Sequence, residues 1–431
     1  MSERRVEFGK RRLIRRRLLP FVAWICAVLG LLAVLQFVVG RTVTDRVHLI
    51  QYVWWTPPVW SVLSAWGLLC LSWLAGWASL RTRGLMLRPV LLVGCVGMTA
   101  WVLFGEWSMH RYVIGRGLTE PGDASLRVLH WNQSSNPIPP GIGERILARS
   151  PDLVALVNAR RRPSRSDVLA ALSPMAPGER VYRLAWGVEA PVEPGHAFLG
   201  PNLIVASRHP IRRCAIVDLP MIEGADEAWR SASLPGWVAF VEVELDEAAS
   251  SAIGRETAVV WIADMPSDPK LSRRSVIEAA AEVTAAWTGP AMVARSSLGD
   301  SAGAAEVVHG DRKDPDHDWV VEPVARSWSG FPTPDLVIGD FNIMEDSASL
   351  GLLTPGMFDV GVRHGRGPMR TWLPVVKNRW LRQAAKMSSW RIDLAYVPEG
   401  TPVHAYDLVD MFGAPHTAQV IEFTPRSVGT D

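Results

Sequence analysis

The stretch "PDLVIGDFNIMEDSAS", Pro334 to Ser349, decides how the chain is read. Leu336, Val337 and Ile338 form an apolar run bounded by Pro334 and Gly339, the pattern of a short buried strand. Asp340 and Asn342 follow at once, so an acid and an amide stand at the strand's end, where open α/β sheets hold ligands. Runs of the same kind recur from about Ser125: "LRVLHW", "DLVALV", "NLIVAS", "GWVAFVEVEL", "TAVVWIA", "RIDLAYV" and "AQVIEF". Between them, Ser272–Trp287 sets Val276, Ala279, Ala280 and Val283 on one helical face. The pattern predicts a soluble α/β domain of roughly 300 residues. Residues 295–333, rich in Gly, Ser and Asp, read as a long surface loop or insertion.

The first quarter of the 431-residue chain is different in kind. Leu18–Gly40, Val59–Leu80 and Met86–Trp107 are apolar, with Arg88 and Glu106 the charges inside the third. Each is about the 20 residues that a bilayer-spanning helix needs. Trp54, Trp55, Trp60, Trp77 and Trp107 lie at or near the ends, as in an interfacial belt. Residues 1–17 hold eight Lys or Arg, and the short loop with Arg81, Arg83 and Arg88 is basic too. The loop Arg41–Pro58 carries Arg41 and Arg46. By the positive-inside rule the basic segments are cytoplasmic, and everything after Trp107 faces outward. The expected organisation is a basic cytoplasmic arm (1–17), three transmembrane helices (18–107), a linker (108–124) and one domain (125–431), in the cell (inner) membrane.

A net charge of +2 implies no global attraction to nucleic acid. Cys26, Cys70 and Cys95 sit in apolar runs and Cys214 is alone in the polar remainder, so that remainder has neither a disulfide nor a Cys-based zinc site. Nothing in the sequence points to a protein partner; the bilayer and an anionic substrate are the implied ones.

The strand ends offer Asn132, Asn158, Asp264, Asp340 with Asn342, Asp393 and His416. A lone Asn or Asp there is more simply a turn residue; the series is more specific. "LRVLHWNQSSN", "SPDLVALVN", "NLIVASRHPI", "WIADMPSDP", "LVIGDFN", "RIDLAYV" and "APHTAQVIEF" resemble, in order and spacing, the endonuclease/exonuclease/phosphatase superfamily, over about residues 126–424. The resemblance implies a DNase I-like two-sheet α/β sandwich and hydrolysis of a phosphate ester assisted by Mg2+ or Mn2+. It implies that Asn132 helps bind metal or phosphate, that Asp340 positions the attacking water, and that Asn342 binds a phosphate oxygen. It further implies that Asp393 orients His416 toward the phosphate.

The chain departs from that pattern at three places. Asn158 stands where the family has a metal-binding Glu, Ala414-Pro415-His416 where it has Ser-Asp-His, and Asp264 where it has a mid-domain His. Each lost carboxylate is worth on the order of a few kcal/mol to a cation at contact distance. Asp264 can return one charge, so Asn132, Asn158 and Asp264 are the expected metal group, with Asp340 beside it. The alternatives are a binding or scaffolding domain that has lost the metal, and a serine hydrolase. For the latter, Gly299-Asp300-Ser301-Ala302-Gly303 fits the Gly-x-Ser-x-Gly elbow with Asp393 and His416 following, but "AMVARSSL" is a poor strand to lead into it. "HGDRKDPDHDW" (309–319) clusters acids and His in what reads as a solvated loop. Arg160 and Arg161, in "NARRRPSR", are the expected anionic-substrate contacts.

Overall fold

A computed structural model describes residues 18–79, 86–134, 140–159, 172, 181–183, 188–190, 195–199, 202–220, 236–287, 292–294, 306–309, 318–321, 330–373, 389–411 and 414–427. The basic arm, Arg81, Arg83, Arg160, Arg161 and Ser301 lie outside the described residues, as does most of 309–319. The chain divides into two compact units, the first holding residues 1–113 and the second built from 114–375 and 390–431.

In the first unit, α1 (Leu19–Val43), α2 (Pro58–Ser79) and α3 (Leu87–Ala100) are helices, and π-helical turns over Trp101–Glu106 prolong α3. All three are long and apolar enough to cross a membrane. Prolines at the starts of α1 and α2 suit first turns, whose N–H groups have no helical partner. Both charges inside the third apolar run have partners. Arg41 Nε lies 3.0 Å from Glu106 Oε1. Arg88 donates from Nε to Ser72 Oγ (3.2 Å) and from Nη2 to the Ser72 carbonyl (2.9 Å), while Ser72 Oγ donates to the Ala23 carbonyl (2.7 Å). Gly76 makes room for it: a Cβ there would stand 1.8 Å from Arg88 Nη2. Paired charge is what an apolar bundle tolerates.

The second unit is a mixed sheet built on ten successive strands: β1 (Leu126–Asn132), β2 (Leu153–Val157), β3 (Leu203–Asp218), β4 (Trp237–Glu244), β5 (Thr257–Asp264), β6 (Leu336–Asp340), β7 (Met357–Asp359), β8 (Asp393–Pro398), β9 (Val403–Val409) and β10 (Ala418–Phe423). They lie in the order β7-β8-β6-β5-β4-β3-β2-β1-β10-β9. Three short strands (181–183, 188–190 and 195–199) attach beside β3. The long β3 changes partner along its length, pairing with β2 through Leu203–Ser207 and with β4 through Ile211–Asp218. At that change the sheet folds over, so the two expected sheets are two halves of one hydrogen-bonded ladder.

The inner faces share one core. Leu126, Val128, Ala155 and Val205 from one half lie in the same cluster as Val241, Ile262, Ile338 and Ala395 from the other. Outside the first half, Leu129, Trp131, Val154 and Ile204 pack with the helix Ile142–Leu147. Outside the second, Phe240, Trp261, Trp287 and Phe331 meet edge-on, with centroids 4.9–5.7 Å apart. Each such pair adds about 1 kcal/mol beyond burial. The helix expected at Ser272–Trp287 runs Arg273–Ala286, with the Ser272 hydroxyl accepting from Ser275 N. It buries Val276, Ala279 and Ala280, with Ile277 and Thr284, while Val283 is half-buried. The insertion at 295–333 is not wholly loop: 306–309 and 318–321 pair with each other, and 318–321 pairs with 292–294, in a separate antiparallel sheet.

Candidate active site

Strand alternation and register build the site. On β5, β6 and β8 the inward positions are Val260 and Ile262, Leu336 and Ile338, Ala395 and Val397. Continuing by twos, the inward row ends in Asp264, Asp340 and Asp393. Asp340 is the Cα partner of Asp264 on one side and of Asp393 on the other. Three carboxylates therefore stand side by side on adjacent strands, all buried. The close passage of β6 past β5 requires Gly339, where a Cβ would come within 2.1 Å of the Ala263 carbonyl oxygen. From the facing half-sheet, β1 ends inward in Asn132.

Hydrogen bonds tie these groups together. Asn132 Nδ2 donates to Asp340 Oδ2 at 2.7 Å, and Asn342 N donates to Asp340 Oδ1 at 2.9 Å. Asn158 Nδ2 donates to Asn132 Oδ1 (3.2 Å) and to Asp264 Oδ1 (3.3 Å). His416 Nδ1 is 2.9 Å from Asp393 Oδ2 and 3.9 Å from Asp340 Oδ2. One ligand atom each of Asp340, Asp393 and His416 falls within a 4.8 Å cluster. Asn132, Asn158, Asp264, Asp340, Asp393 and His416 are thus one constellation. Asn342 is adjacent, but its side-chain Nδ2 donates to the Met265 carbonyl at 2.8 Å, leaving one amide N–H for anything else. Asn158 and Asn342 both have positive φ, +55° and +48°, a conformation Asn adopts more readily than most residues.

Sequence reasoning missed two supports. Thr371 Oγ1 accepts from the backbone N–H groups of Ile392 (3.0 Å) and Asp393 (2.9 Å). Trp131 Nε1 donates to the His416 carbonyl at 3.1 Å. Trp131 could have been suspected from "HWN", since a buried indole needs an acceptor; Thr371 carries no local signal.

Burial, and then the neighbouring Asp393 charge, push the Asp340 carboxyl up to about 7. Burial, and then Asp340, hold Asp264 well above the carboxylate range. Burial works to lower the His416 pKa, but Asp393 outweighs it by charge and hydrogen bond and holds the ring up to about 9. All three groups bind more protons folded than unfolded. The site's contribution to stability is therefore largest at acid pH and is lost as pH rises through about 7 and then about 9. With chelator present, Asp264→Asn should gain stability relative to the parent as pH is raised from 5 to 9, read as unfolding temperature. A difference independent of pH would contradict this account.

The donor chemistry fits one divalent cation. Asp264 and Asp340 would offer hard anionic oxygen, the preference of Mg2+ and Mn2+, and Asn132 and Asn158 would add amide oxygens. Burial and neighbouring carboxylate charge raise the pKa of both carboxyls, a cost that a bound dication would relieve.

No protein-family model matches the sequence, and no curated protein matches it. Solved structures do. A structure described as endonuclease/exonuclease/phosphatase from Beutenbergia cavernae matches with a TM-score of 0.41 and 17% identity, over 70% of this chain and 72% of that one. Humanized D. rerio TDP2 matches at 0.37 and 12% identity, over 70% and 99% of the two chains. An endonuclease/exonuclease/phosphatase family protein from Bacteroides thetaiotaomicron matches at 0.37 and 12%, over 69% and 97%.

Proposed function

We propose that the chain is a divalent-metal-assisted phosphoesterase, anchored by its three apolar helices, with the α/β unit outside the cell (inner) membrane. The observation that supports it best is the place of Asp264. Its carboxylate lies against Asn158 and feels the charge of its strand partner Asp340, so it would return to the cleft one of the two charges missing at Asn158 and Pro415. Asp264 and Asp340, with amide oxygens of Asn132 and Asn158, would hold Mg2+ or Mn2+, which supplies Lewis-acid stabilisation of charge on the phosphate. Asp340 is fixed by hydrogen bonds to both oxygens and is the group to orient a water and take its proton. Asp393 holds the His416 ring through Nδ1. Nε2 is then left to donate to a phosphate oxygen as charge builds there. The substrate is a phosphate ester: nucleic acid, phospholipid or a smaller compound. Arg160 and Arg161 remain the proposed contacts to its anionic part.

Hydrolysis of bis(p-nitrophenyl) phosphate and p-nitrophenyl phosphate by the full chain in detergent, with Mg2+ or Mn2+ and then EDTA, tests this reading. Turnover that EDTA abolishes supports it, whereas no turnover with any divalent metal favours a binding domain. One observation points that way: the Asn158 amide nitrogen already satisfies oxygens of both Asp264 and Asn132.

Sidedness has its own test. Protease added to intact spheroplasts should digest the chain beyond residue 107, because the Lys and Arg excess lies at the opposite ends of the spans. Protection of that region in right-side-out preparations would reverse the topology.

A further inference from the structure

One strand pair deeper than the three aspartates, the space between the half-sheets is polar. The inner face of β1 runs Val128, His130, Asn132, and Gln419 of β10 is the register partner of His130. Ala395, two residues on from Asp393 along β8, contributes only a methyl to the same core. His130, Gln419 and Asp393 are all fully buried. Among the described residues, four of their polar atoms have no hydrogen-bond partner: His130 Nδ1 and Nε2, Gln419 Nε2 and Asp393 Oδ1. Gln419 Oε1 is occupied by the Tyr406 hydroxyl at 2.9 Å, which fixes the amide with its nitrogen as the free end. Asn132, two residues on from His130, bonds Asp340, and His416, three before Gln419, bonds Asp393, so the His130–Gln419 pair lies one step behind the groups that hold both carboxylates.

A buried polar atom left without a partner keeps the whole cost of its lost hydration. A single water can satisfy several, because a buried water makes about three hydrogen bonds. The chemistry here is matched: the Gln419 amide donates, the Asp393 carboxylate accepts, and an imidazole nitrogen does either. We propose that an ordered water held by His130 and Gln419 hydrogen-bonds Asp393 Oδ1, making His130 a positioning residue for the Asp393–His416 pair. Asp393 is then fixed through both oxygens, Oδ2 by His416 and Oδ1 by the water, as Asp340 is by Asn132 and Asn342. The consequence for hydrolysis rests on the phosphoesterase reading; the water and its effect on His416 do not.

The test uses the full chain in detergent, labelled with 15N-histidine, as parent, His130→Leu and His130→Gln. The His416 imidazole signal should move in His130→Leu and return toward the parent position in His130→Gln, which restores a group able to hold the water. Where turnover is measurable, His130→Leu should lower kcat about tenfold with KM nearly unchanged, as loss of an outer partner does, and His130→Gln should recover most of it. If the pocket is instead dry, His130→Leu removes an unsatisfied group and should unfold at a higher temperature with the His416 signal unmoved. That result overturns the proposal. Should His130→Leu not fold, a high-resolution structure of the parent decides. Density within hydrogen-bond distance of both Asp393 Oδ1 and a His130 nitrogen is required, and its absence is disproof. Absence of turnover with every metal would count against the phosphoesterase reading, while the His416 signal still decides the role of His130.

Discussion

Asp264→Asn should weaken divalent-cation binding and phosphoester hydrolysis together, by about a hundredfold or more, while leaving the chain folded. The cleft holds two carboxylates beside its two amides, Asp264 and Asp340, with Asp393 committed to His416. Removing one leaves a cation facing a single carboxylate and amide dipoles. At contact distance that charge is worth on the order of several kcal/mol even at an effective dielectric near 20. The expected loss is therefore about a hundredfold or more in Mn2+ affinity, measured by titration calorimetry, with turnover falling in parallel. The fold should survive because the amide carbonyl of the substituted side chain can still accept from Asn158 Nδ2, and because a buried, unneutralised carboxyl has been removed. A variant that binds Mn2+ within twofold of the parent, or that loses activity without losing the metal, would remove Asp264 from the metal group.

The aspartates are legible in sequence because each stands at the end of a short apolar run that reads as a buried strand. "LVIGD", "VVWIAD" and the Asp that opens "DLAYV" each put an acid at the end of an inner row. What no local pattern carries is the pairing between distant strands. Thr371 reaches Asp393 across 22 positions, Trp131 reaches His416 across 285, and His130 meets Gln419 across the β1–β10 ladder. Asn158 shows why a single position resists assignment. Its φ of +55° is a turn demand and its amide is part of the site, so one residue type answers both. A Glu there would carry the charge but would cost about 1–2 kcal/mol in that backbone conformation.

Most strands show as β-branched runs, and those that do not are of two kinds. "VHAYDLV" (β9) and "MFD" (β7) are too polar or too short to stand out, as are 306–309 and 318–321 inside the expected loop. The second kind is the middle of β3. "SRHPIRR" has a proline and four basic or histidine residues, which argues for a break. The strand in fact continues, with Arg208, His209 and Pro210 at or near the surface where it leaves β2 for β4. Proline is tolerated there because the ladder is changing partners and that N–H has no fixed acceptor to lose.

Arg391→Met should produce the largest loss of stability of any single change beside the site, about 3–5 kcal/mol. Arg391 is the first residue of the Arg-Ile-Asp run that carries Asp393, and its side chain is 1% exposed. Nη1 and Nη2 donate to the two oxygens of Asp359 at 2.8 and 2.7 Å, and Nε donates to Glu345 in the segment after Asn342. The guanidinium therefore clamps the strand that carries Asp393 to the loop that follows Asp340. Its planar fork is what makes three such bonds possible, so Arg391→Lys should recover part of the loss and not all of it. Met fills much of the volume but leaves the carboxylates of Asp359 and Glu345 without their cation, and burial already raises the Glu345 pKa despite Arg391. For a unit of this size the loss corresponds to a fall in unfolding temperature of roughly 10 °C, read by calorimetry on the full chain. A fall equivalent to less than about 1 kcal/mol would mean that water reaches both carboxylates and that the clamp is dispensable. The decisive control is the triple change Arg391→Met, Asp359→Asn, Glu345→Gln. If the cost of Arg391→Met is stranded charge, neutralising both acids should return most of the lost stability, whereas a cost from lost packing would remain.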